Sequence, residues 1–330
     1  MPRAPRSRLA AARAERFAGI VDCGMSGATT IELGGRIGAW MGAFAVAPAA
    51  AARPAAAEIE ELGYACIWYP EGLGTRESFT NGAVLLDATE RIRVGSGIAN
   101  IWGRDPVAAA NGARVLDDAF DGRFVLGLGV SHPRQVDPRG HTYAKPVARM
   151  RAFLDAMDDD PFVSPDATAA PRPPVPRVLA ALREPMLRLA AERADGAHTF
   201  LVSVEHTRRA REILGPGRVL VVEQKVLRER DPATARARGR QALGWYLDTP
   251  NYLESLRALG FDDDDHAGGG SDRLVDALVA WGDEERIFER LRAHLDAGAD
   301  QVAIQPLGDD ADPLGLGVLR ALAPSIPGLG

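Results

Sequence analysis

The stretch Arg91–Asn100, Arg-Ile-Arg-Val-Gly-Ser-Gly-Ile-Ala-Asn, decides the fold of this chain. Its first half predicts a short buried strand, because Ile92 and Val94 are β-branched and follow a polar turn. Gly95 and Gly97 then interrupt the pattern, and glycine inside a strand usually marks a bulge or a close approach of the backbone to another group. A strand that ends this way suits a flat ligand lying against its backbone. A strand end loosened by glycine, with no ligand, explains the pattern equally well.

Strand-like and helix-like segments alternate on both sides of this stretch. The predicted strands are Arg36–Gly42, Ala65–Tyr69, Ile92–Ile98, Phe124–Val130, Arg177–Ala181, Ala197–Val202, Val219–Val226 and Gln301–Gln305. Strands that are apolar on both faces are typical of a parallel sheet covered by helices. Eight strand–helix units in a chain of 330 residues favour a closed (β/α)8 TIM barrel. A doubly wound open sheet is the alternative.

Several segments depart from this alternation. Residues 1–34 carry arginines among alanines with no apolar stripe, so we expect a disordered extension, or a chain whose true start is Met25, followed by one barrel domain over 35–330. The Pro- and Asp-rich stretch 158–176 and the acidic, glycine-rich stretch 262–270 predict exposed loops. Ser271–Ala280 is predicted to be helical.

Composition excludes several classes of protein. The net charge of −6 argues against nucleic acid as a partner, and no apolar run approaches the roughly 20 residues that span a bilayer. Cys23 and Cys66 are too few for a disulfide framework, so a reducing cytoplasm is expected. No metal site is predicted, because His132 and His141 lack ligand spacing and the Asp262–Asp265 run is typical of a solvated loop.

Candidate catalytic residues follow the strand ends, because the active site of such a barrel lies at the carboxyl ends of its strands. Glu71 follows the second strand and His132 the fourth. An unperturbed histidine titrates near about pH 6.5, which suits acid–base work at neutral pH. Apolar neighbours such as Trp40 or Tyr69 would raise the pKa of Glu71 and let it carry a proton. For both residues an ordinary solvated loop position is the alternative.

No nucleotide-binding motif is complete in this chain. The pairs Gly95-x-Gly97 and Gly127-x-Gly129 lack the third glycine of the dinucleotide fingerprint. Arg183-Glu184-Pro185 opens a predicted helix, whose free N–H groups suit a phosphate, although an ordinary helix start is the simpler interpretation.

Five segments resemble the bacterial luciferase-like superfamily, in its branch of deazaflavin (coenzyme F420)-dependent oxidoreductases. They are Gly35–Trp40, Leu62–Glu71, Ile92–Ile101, Gly122–Ser131 and Leu189–Ala197. Each segment is modest alone, but their order and spacing are specific for the superfamily. The resemblance implies a TIM barrel with insertion loops at the carboxyl ends of the strands and a flavin-type ring bound there. The five segments do not separate coenzyme F420 from FMN.

The resemblance also implies where that cofactor lies. In the family the third strand commonly ends in a non-prolyl cis peptide that bulges against the ring, and the matching bond is Gly97–Ile98. The cofactor-binding residues implied in this way are Trp40, Gly97, Ile98, Asn100, Ser131, Ala181, Leu182, Arg183 and Glu184. In sugar-phosphate-oxidising relatives a histidine ends strand two and a glutamate ends strand four. Glu71 and His132 exchange these two types, which argues against sugar-phosphate chemistry.

Three functions therefore remain open. The favoured one is an F420-dependent oxidoreductase that transfers a hydride between the deazaflavin and a small organic substrate. The second is an FMN-dependent two-component monooxygenase, and the third is a non-catalytic flavin-binding barrel. The expected partners are a small-molecule substrate and a separate F420 or FMN reductase, and a homodimer is expected because the family often dimerises.

Overall fold

A computed structural model describes residues 31–159 and 174–329 as a closed barrel of parallel strands. The strands are β1 (Ile37–Trp40), β2 (Cys66–Tyr69), β3 (Arg93–Ser96), β4 (Ala99–Asn100), β5 (Phe124–Gly129), β6 (Arg177–Ala180), β7 (Gly196–Thr199), β8 (Val219–Leu227), β9 (Val279–Trp281) and β10 (Gln301–Pro306). The sheet runs β10-β1-β2-β3-β5-β6-β7-β8, and β8 pairs with β10 to close it. The predicted (β/α)8 barrel is confirmed.

Helices cover the outside of the barrel between successive strands. They are α1 (Ala49–Glu61), α2 (Ser78–Asp87), α3 (Pro106–Ala119), α4 (Pro133–Val136), α5 (Pro146–Asp158), α6 (Glu184–Arg193), α7 (Val204–Leu214), α8 (Pro232–Leu247), α9 (Pro250–Ala258), α10 (Asp263–His266), α11 (Asp272–Leu278), α12 (Glu284–Asp296) and α13 (Leu316–Leu322). Short 3-10 helices lie at Gly42–Ala45, Asp137–Arg139, Ala267–Gly269 and Ala323–Leu329. Within the described part of the chain, no helix is long and apolar enough to cross a membrane.

The third strand is interrupted where its glycines lie. The chain leaves the sheet at Gly97–Ile98, which is a cis peptide bond as predicted, and rejoins it as β4. The Ser96 hydroxyl fills the gap in the ladder, because it donates to the Gly127 carbonyl at 2.8 Å and accepts from the Gly127 N–H at 2.9 Å. The predicted continuous strand Ile92–Ile98 is therefore too long at its carboxyl end.

Side chains of the strands fill the barrel interior beneath the carboxyl ends of the strands. Trp68 occupies its centre and donates from Nε1 to Gln301 Oε1 at 2.8 Å. It fits because Gly95 has no side chain: a Cβ there would lie 2.5 Å from the Trp68 ring. Leu33 packs in the same interior cluster, so the packed part of the chain includes residues before the predicted boundary at 35. The rest of the predicted extension lies outside the described residues.

The acidic stretch 262–270 is a folded element, and the prediction of a flexible loop is wrong. Asp262 and Asp265 cap α10 reciprocally, since each carboxylate accepts from the backbone N–H of the other. Ser271 Oγ also donates to Asp265 at 2.6 Å, which ties the start of α11 to α10. Of the other predicted loop, 158–176, residues 160–173 lie outside the described part.

The predicted helix Ser271–Ala280 is also too long. Helix α11 ends at Leu278, and the next three residues form β9, which pairs with Lys225–Leu227 of β8. Strand β9 thus pairs with the last residues of β8, beyond the part of β8 that pairs with β7. It is not one of the eight strands that close the barrel. This arrangement places α8, α9, α10 and α11 in an insertion between β8 and β9, beside the carboxyl end of the barrel.

Candidate functional site

A cavity of about 350 Å³ opens at the carboxyl ends of the barrel strands. Its lining includes seven of the residues predicted to bind a cofactor and both predicted catalytic residues. Those on the lining are Trp40, Glu71, Gly97, Ile98, Ser131, His132, Ala181, Leu182 and Arg183. The structure therefore brings together most of the predicted site, and it places Asn100 and Glu184 outside the lining.

The Trp40 and His198 rings pack directly against Gly97 on the cavity lining. A Cβ at position 97 would lie 2.8 Å from Trp40 Nε1 and 3.3 Å from His198 Nε2. Both nitrogens are buried, and neither has a hydrogen-bond partner among the residues that the structure describes. Buried polar atoms usually have a partner, so two unpartnered nitrogens on this part of the lining indicate a polar ligand.

The hydrogen bonding of His198 assigns the roles of the two nitrogens. His198 Nδ1 lies 3.1 Å from the Thr199 carbonyl oxygen, so Nδ1 carries the proton and Nε2 is an acceptor. Burial lowers the pKa of His198 to about 4, which keeps the imidazole neutral at pH 7. The indole of Trp40 can only donate. The lining beside Gly97 thus presents one donor and one acceptor.

His132 lies on the cavity wall at the start of α4. Its ring packs 5.2 Å from the Tyr252 ring and 6.1 Å from the Trp245 ring, measured between centroids. Burial, with a contribution from Arg134, lowers the pKa of His132 to about 4. His132 therefore departs from the expected unperturbed histidine, because burial and the nearby charge of Arg134 disfavour its charged form.

Glu71 reaches the cavity, but its carboxylate is committed to an ion pair. Both oxygens accept from the guanidinium of Arg104, and the two side chains are only 5% and 8% exposed. The carboxylate also accepts from the backbone N–H groups of Asn100, at 2.7 Å, and Ser78, at 3.2 Å. The apolar surroundings expected for a proton-carrying acid are absent, and these contacts suit a carboxylate that fixes the turn after β3.

Asn100 and Ser131 have different positions in that region. The Asn100 side chain is buried and accepts from the Trp102 N–H at 3.0 Å, so it shapes the turn after β4. Ser131 lies on the cavity lining with a φ of 57°, and Leu201, at the end of another strand, also has a φ of 57°. Such backbone in non-glycine residues is uncommon and clusters at functional sites.

The predicted phosphate site at the start of α6 is less open than expected. The guanidinium of Arg183 forms an ion pair with Glu254 of α9, and Glu184 pairs with Arg188 on the outside of α6. The Leu182 carbonyl accepts from His206 Nε2 at 2.6 Å. An anion at this helix start would compete with Glu254 for Arg183 and would face the charge of Glu184.

Sequence analysis did not single out several aromatic residues of the lining. They are Phe200, Trp245, Tyr246 and Tyr252. Phe200 and His198 lie on or just after β7, where alternation with apolar residues is the only sequence signal. The other three come from the insertion, and their place in the barrel mouth has no local signal.

A buried ion pair lies next to Phe200. Lys225 Nζ is 3.2 Å from Glu223 Oε1 and 3.0 Å from Gln305 Oε1, and the Lys225 and Glu223 side chains are each 1% exposed. The ammonium lies 4.0 Å from the centroid of the Phe200 ring, and Glu223 accepts from the Leu201 N–H at 3.0 Å. Burial lowers the pKa of Lys225, and the charge of Glu223 opposes that shift. The pair fixes the loop after β7 from inside the barrel.

A family model for luciferase-like monooxygenases matches residues 29–301. The chain belongs to the luciferase-like monooxygenase family. Membership places it among enzymes of the oxidoreductase class. Over residues 31–159 and 174–329 the structure contains no group of three or more His, Cys, Asp or Glu side chains that could hold a metal ion.

Two relatives illustrate the range of the family. A protein of Mycobacterium tuberculosis, named provisionally as a coenzyme F420-dependent oxidoreductase, is 32% identical over 128 residues, which is 38% of this chain and 37% of that protein. A 5,10-methylenetetrahydromethanopterin reductase of Archaeoglobus fulgidus is 24% identical over 295 residues, which cover 76% of this chain and 88% of that enzyme.

Two solved structures share the fold at low sequence identity. An F420-dependent secondary alcohol dehydrogenase in complex with an F420–acetone adduct has a TM-score of 0.70 and 14% identity, covering 90% of this chain and 99% of that one. The oxygenating constituent of 3,6-diketocamphane monooxygenase of Pseudomonas putida, in complex with FMN, has a TM-score of 0.66 and 13% identity, covering 88% and 96%. Identities this low support the barrel fold alone.

Proposed function

We propose that this chain is a coenzyme F420-dependent oxidoreductase that transfers a hydride between the deazaflavin and a small organic substrate. The observation that carries the proposal is the pair of unpartnered nitrogens, Trp40 Nε1 and His198 Nε2, on the lining beside Gly97. The relative named for coenzyme F420 favours this cofactor over FMN.

The residues beside Gly97 fit a deazaflavin ring. Glycine at 97 lets the Trp40 and His198 rings pack against the backbone on the cavity lining. The edge of such a ring carries carbonyl and N–H groups, which match the donor of Trp40 and the acceptor of His198. Ile98, Ser131 and Ala181 add apolar and backbone contacts on the same lining. When bound, the ring accepts or delivers the hydride, and the protein orients it and excludes water.

The two predicted catalytic residues have different roles in this proposed function. His132 is the candidate proton acceptor, because it lies on the lining as a neutral imidazole. Glu71 is assigned to positioning, because its carboxylate binds Arg104 and the Asn100 N–H. The predicted role of Glu71 as the acid has less support than the role of His132.

An FMN-dependent two-component monooxygenase is the alternative function. Its support is the fold shared with an FMN-bound monooxygenase and the neutral donor–acceptor pair, which a flavin edge also matches. Such an enzyme would need reduced FMN from a separate reductase. A homodimer, a reductase partner and a cytoplasmic location stay predictions.

Fluorescence titration with F420 and with FMN tests the proposal. We expect F420 to bind more tightly than FMN, and reduced FMN with oxygen to give no oxygenated substrate in the presence of the protein. Trp40→Phe and His198→Leu should each weaken F420 binding by about tenfold, the effect of one lost hydrogen bond. Trp281→Phe is the matched control, because Trp281 lies on β9 and donates to Asp276 instead. Binding of neither cofactor would overturn the proposal, and a protein-dependent oxygenated product with reduced FMN would favour the alternative.

A second experiment tests His132. We expect His132→Ala to lower single-turnover hydride transfer by about 100-fold while F420 affinity changes little. Because burial lowers its pKa to about 4, the wild-type rate should show no ionisation of His132 between pH 5 and 8. A variant that loses only cofactor affinity would make His132 a cofactor contact.

A further inference from the structure

We propose that the cavity takes an uncharged, flat and largely apolar substrate, and that an insertion in the barrel selects it. This inference rests on the proposed function for the reaction, but its own basis is the lining of the cavity. The term "aromatic wall" denotes the side chains of Phe200, Trp245, Tyr246 and Tyr252.

The aromatic wall is continuous through the cavity. The Phe200 ring lies 4.9 Å from Trp40 and 5.3 Å from Tyr246, so the wall begins beside the Trp40 indole. Tyr246 in turn lies 5.3 Å from Tyr252 and 4.9 Å from Trp245. These centroid distances are those of favourable tilted and edge-to-face ring pairs. Trp245 is 41% exposed, so the wall extends to solvent.

Three of the four rings come from the insertion between β8 and β9. Trp245 and Tyr246 lie in the last turn of α8, and Tyr252 lies in the first turn of α9. The inner sides of these helices pack in a hydrophobic cluster that includes Leu243, Leu256 and Phe261 and that continues into the barrel at Leu227. The insertion is therefore packed onto the barrel and presents its rings to the barrel mouth. This makes it the element on which substrate selection depends.

The remaining lining is mostly aliphatic. Ile98, Val130, Val147, Leu182 and Met186 contribute to it from five different segments of the barrel. A flat apolar molecule would bury its surface against both these side chains and the rings, at roughly 25 cal/mol for each Å² removed from water. Flexible methionine adapts to the outline of such a ligand.

No free formal charge faces the cavity from its described lining. Glu71 and Arg183 are the charged residues there, and they are paired with Arg104 and Glu254. A carboxylate or phosphate on the substrate would have to compete with Glu254 for Arg183, and an ammonium would have to compete with Arg104 for Glu71, so a charge gains little for the hydration that it loses. Lys225 does not change this, because its ammonium is already bound by Glu223 and Gln305.

Uncharged hydrogen-bonding groups remain available for orientation. Ser131, Tyr143 and Asn251 lie on the lining beside the rings. A hydroxyl or carbonyl group on the substrate is therefore compatible with the site. The substrate class that fits is an uncharged aromatic or fused-ring alcohol or ketone.

A matched ligand series tests this class. Quenching of protein fluorescence would be measured with 2-acetylnaphthalene, 2-naphthoate and 2-octanone, on the protein alone and with F420 added. We expect 2-acetylnaphthalene to bind at least tenfold more tightly than the carboxylate of the same skeleton and than the flexible ketone. Equal or tighter binding of 2-naphthoate would overturn the uncharged class, and equal binding of 2-octanone would overturn the flat one.

Variants of the aromatic wall complete the test. Tyr246→Leu and Trp245→Leu should each weaken 2-acetylnaphthalene binding about tenfold while F420 affinity stays within twofold. Trp245 is largely outside the core, so its variant remains informative if Tyr246→Leu fails to fold. Phe261→Leu is the control, because it loosens the same insertion core without touching the lining, and ligand affinity should not change. Wild-type affinity in both wall variants would overturn the inference. If the wild-type protein did not bind F420 but showed the expected ligand selectivity, only the proposed function would be contradicted.

Discussion

Glu71 lies at a position that was predicted to be catalytic, but its contacts hold the backbone in place. Its carboxylate joins Arg104 to the turn that follows the break in the third strand. We expect Glu71→Ala to lower the free energy of unfolding by about 3 kcal/mol, because Arg104 would keep a buried charge with Glu77 as its acidic partner and only the Asn100 carbonyl beside it. Urea unfolding measures this change.

The control for that experiment is an exposed ion pair. Glu90 and Arg91 lie 3.5 Å apart with side chains 84% and 72% exposed, so Glu90→Ala should change stability little. If Glu71→Ala kept wild-type stability and lost turnover with a new pH dependence, Glu71 would return to the role of a catalytic acid.

Gly97 is the second position where a single atom matters. We expect Gly97→Ala to weaken F420 binding more than tenfold, because its Cβ would lie 2.8 Å from Trp40 Nε1 and displace the indole that donates to the ring. Gly244→Ala is the control, since a Cβ at that helical position meets no described atom within 4 Å. Equilibrium titration at one temperature compares the two. Unchanged affinity in Gly97→Ala would mean that the ring does not bind beside Gly97.

At the scale of elements, short folded segments are where sequence patterns were misleading. Helix α10 has four residues, three of them Asp, and a charge run predicts a solvated loop. The stabilising contacts are the reciprocal caps and the pairing of Asp265 with Arg273, eight residues further on. Strand β9 could not be predicted either, because Val279 and Ala280 continue the apolar pattern of the preceding helix.

Asp265 provides the prediction at this scale. Asp265→Ala removes the acceptor of Ser271 Oγ, of Arg273 and of the Asp262 N–H, so α10 should lose its attachment to α11. We expect a clear fall in melting temperature. Asp264→Ala, on the exposed face of the same short helix, should leave the melting temperature nearly unchanged. Equal melting temperatures for the two variants would mean that the cap does not stabilise the insertion.

At the scale of the whole molecule, the barrel and the location of its site could be predicted from the sequence, but many of the residues that line the cavity could not. Alternation of apolar strands and helices predicts the closed sheet, and the strand-end rule places Gly97 and His132 on one cavity. His198 was missed because one histidine in an apolar strand gives no sign of what it faces. Tyr246 and Tyr252 were missed because their contacts depend on how a long insertion packs.

Buried histidines give the whole molecule a pH dependence of stability. His198, His206 and His294 are all nearly inaccessible to solvent, and burial lowers the pKa of each. For His294, burial with a contribution from Arg290 lowers the pKa to about 3, while its nitrogens bond to Thr207 and Gln224. The unfolded chain takes up protons near about pH 6.5, so it binds more protons than the folded chain below that value. Stability is therefore complete above about pH 6.5 and is lost as the pH falls.

His294→Gln tests this directly, because His294 lies on α12, outside the cavity lining, and bonds to Thr207 of α7 and Gln224 of β8. Each histidine that protonates only on unfolding contributes a slope of about 1.4 kcal/mol per pH unit. We expect the unfolding free energy of the wild type to fall steeply from pH 6 to pH 5, and that of His294→Gln to fall less by about one such slope. His141→Gln removes an exposed imidazole and should keep the wild-type slope. Urea unfolding at closely spaced pH values measures all three, and a wild-type slope in His294→Gln would mean that the folded chain already accommodates the proton.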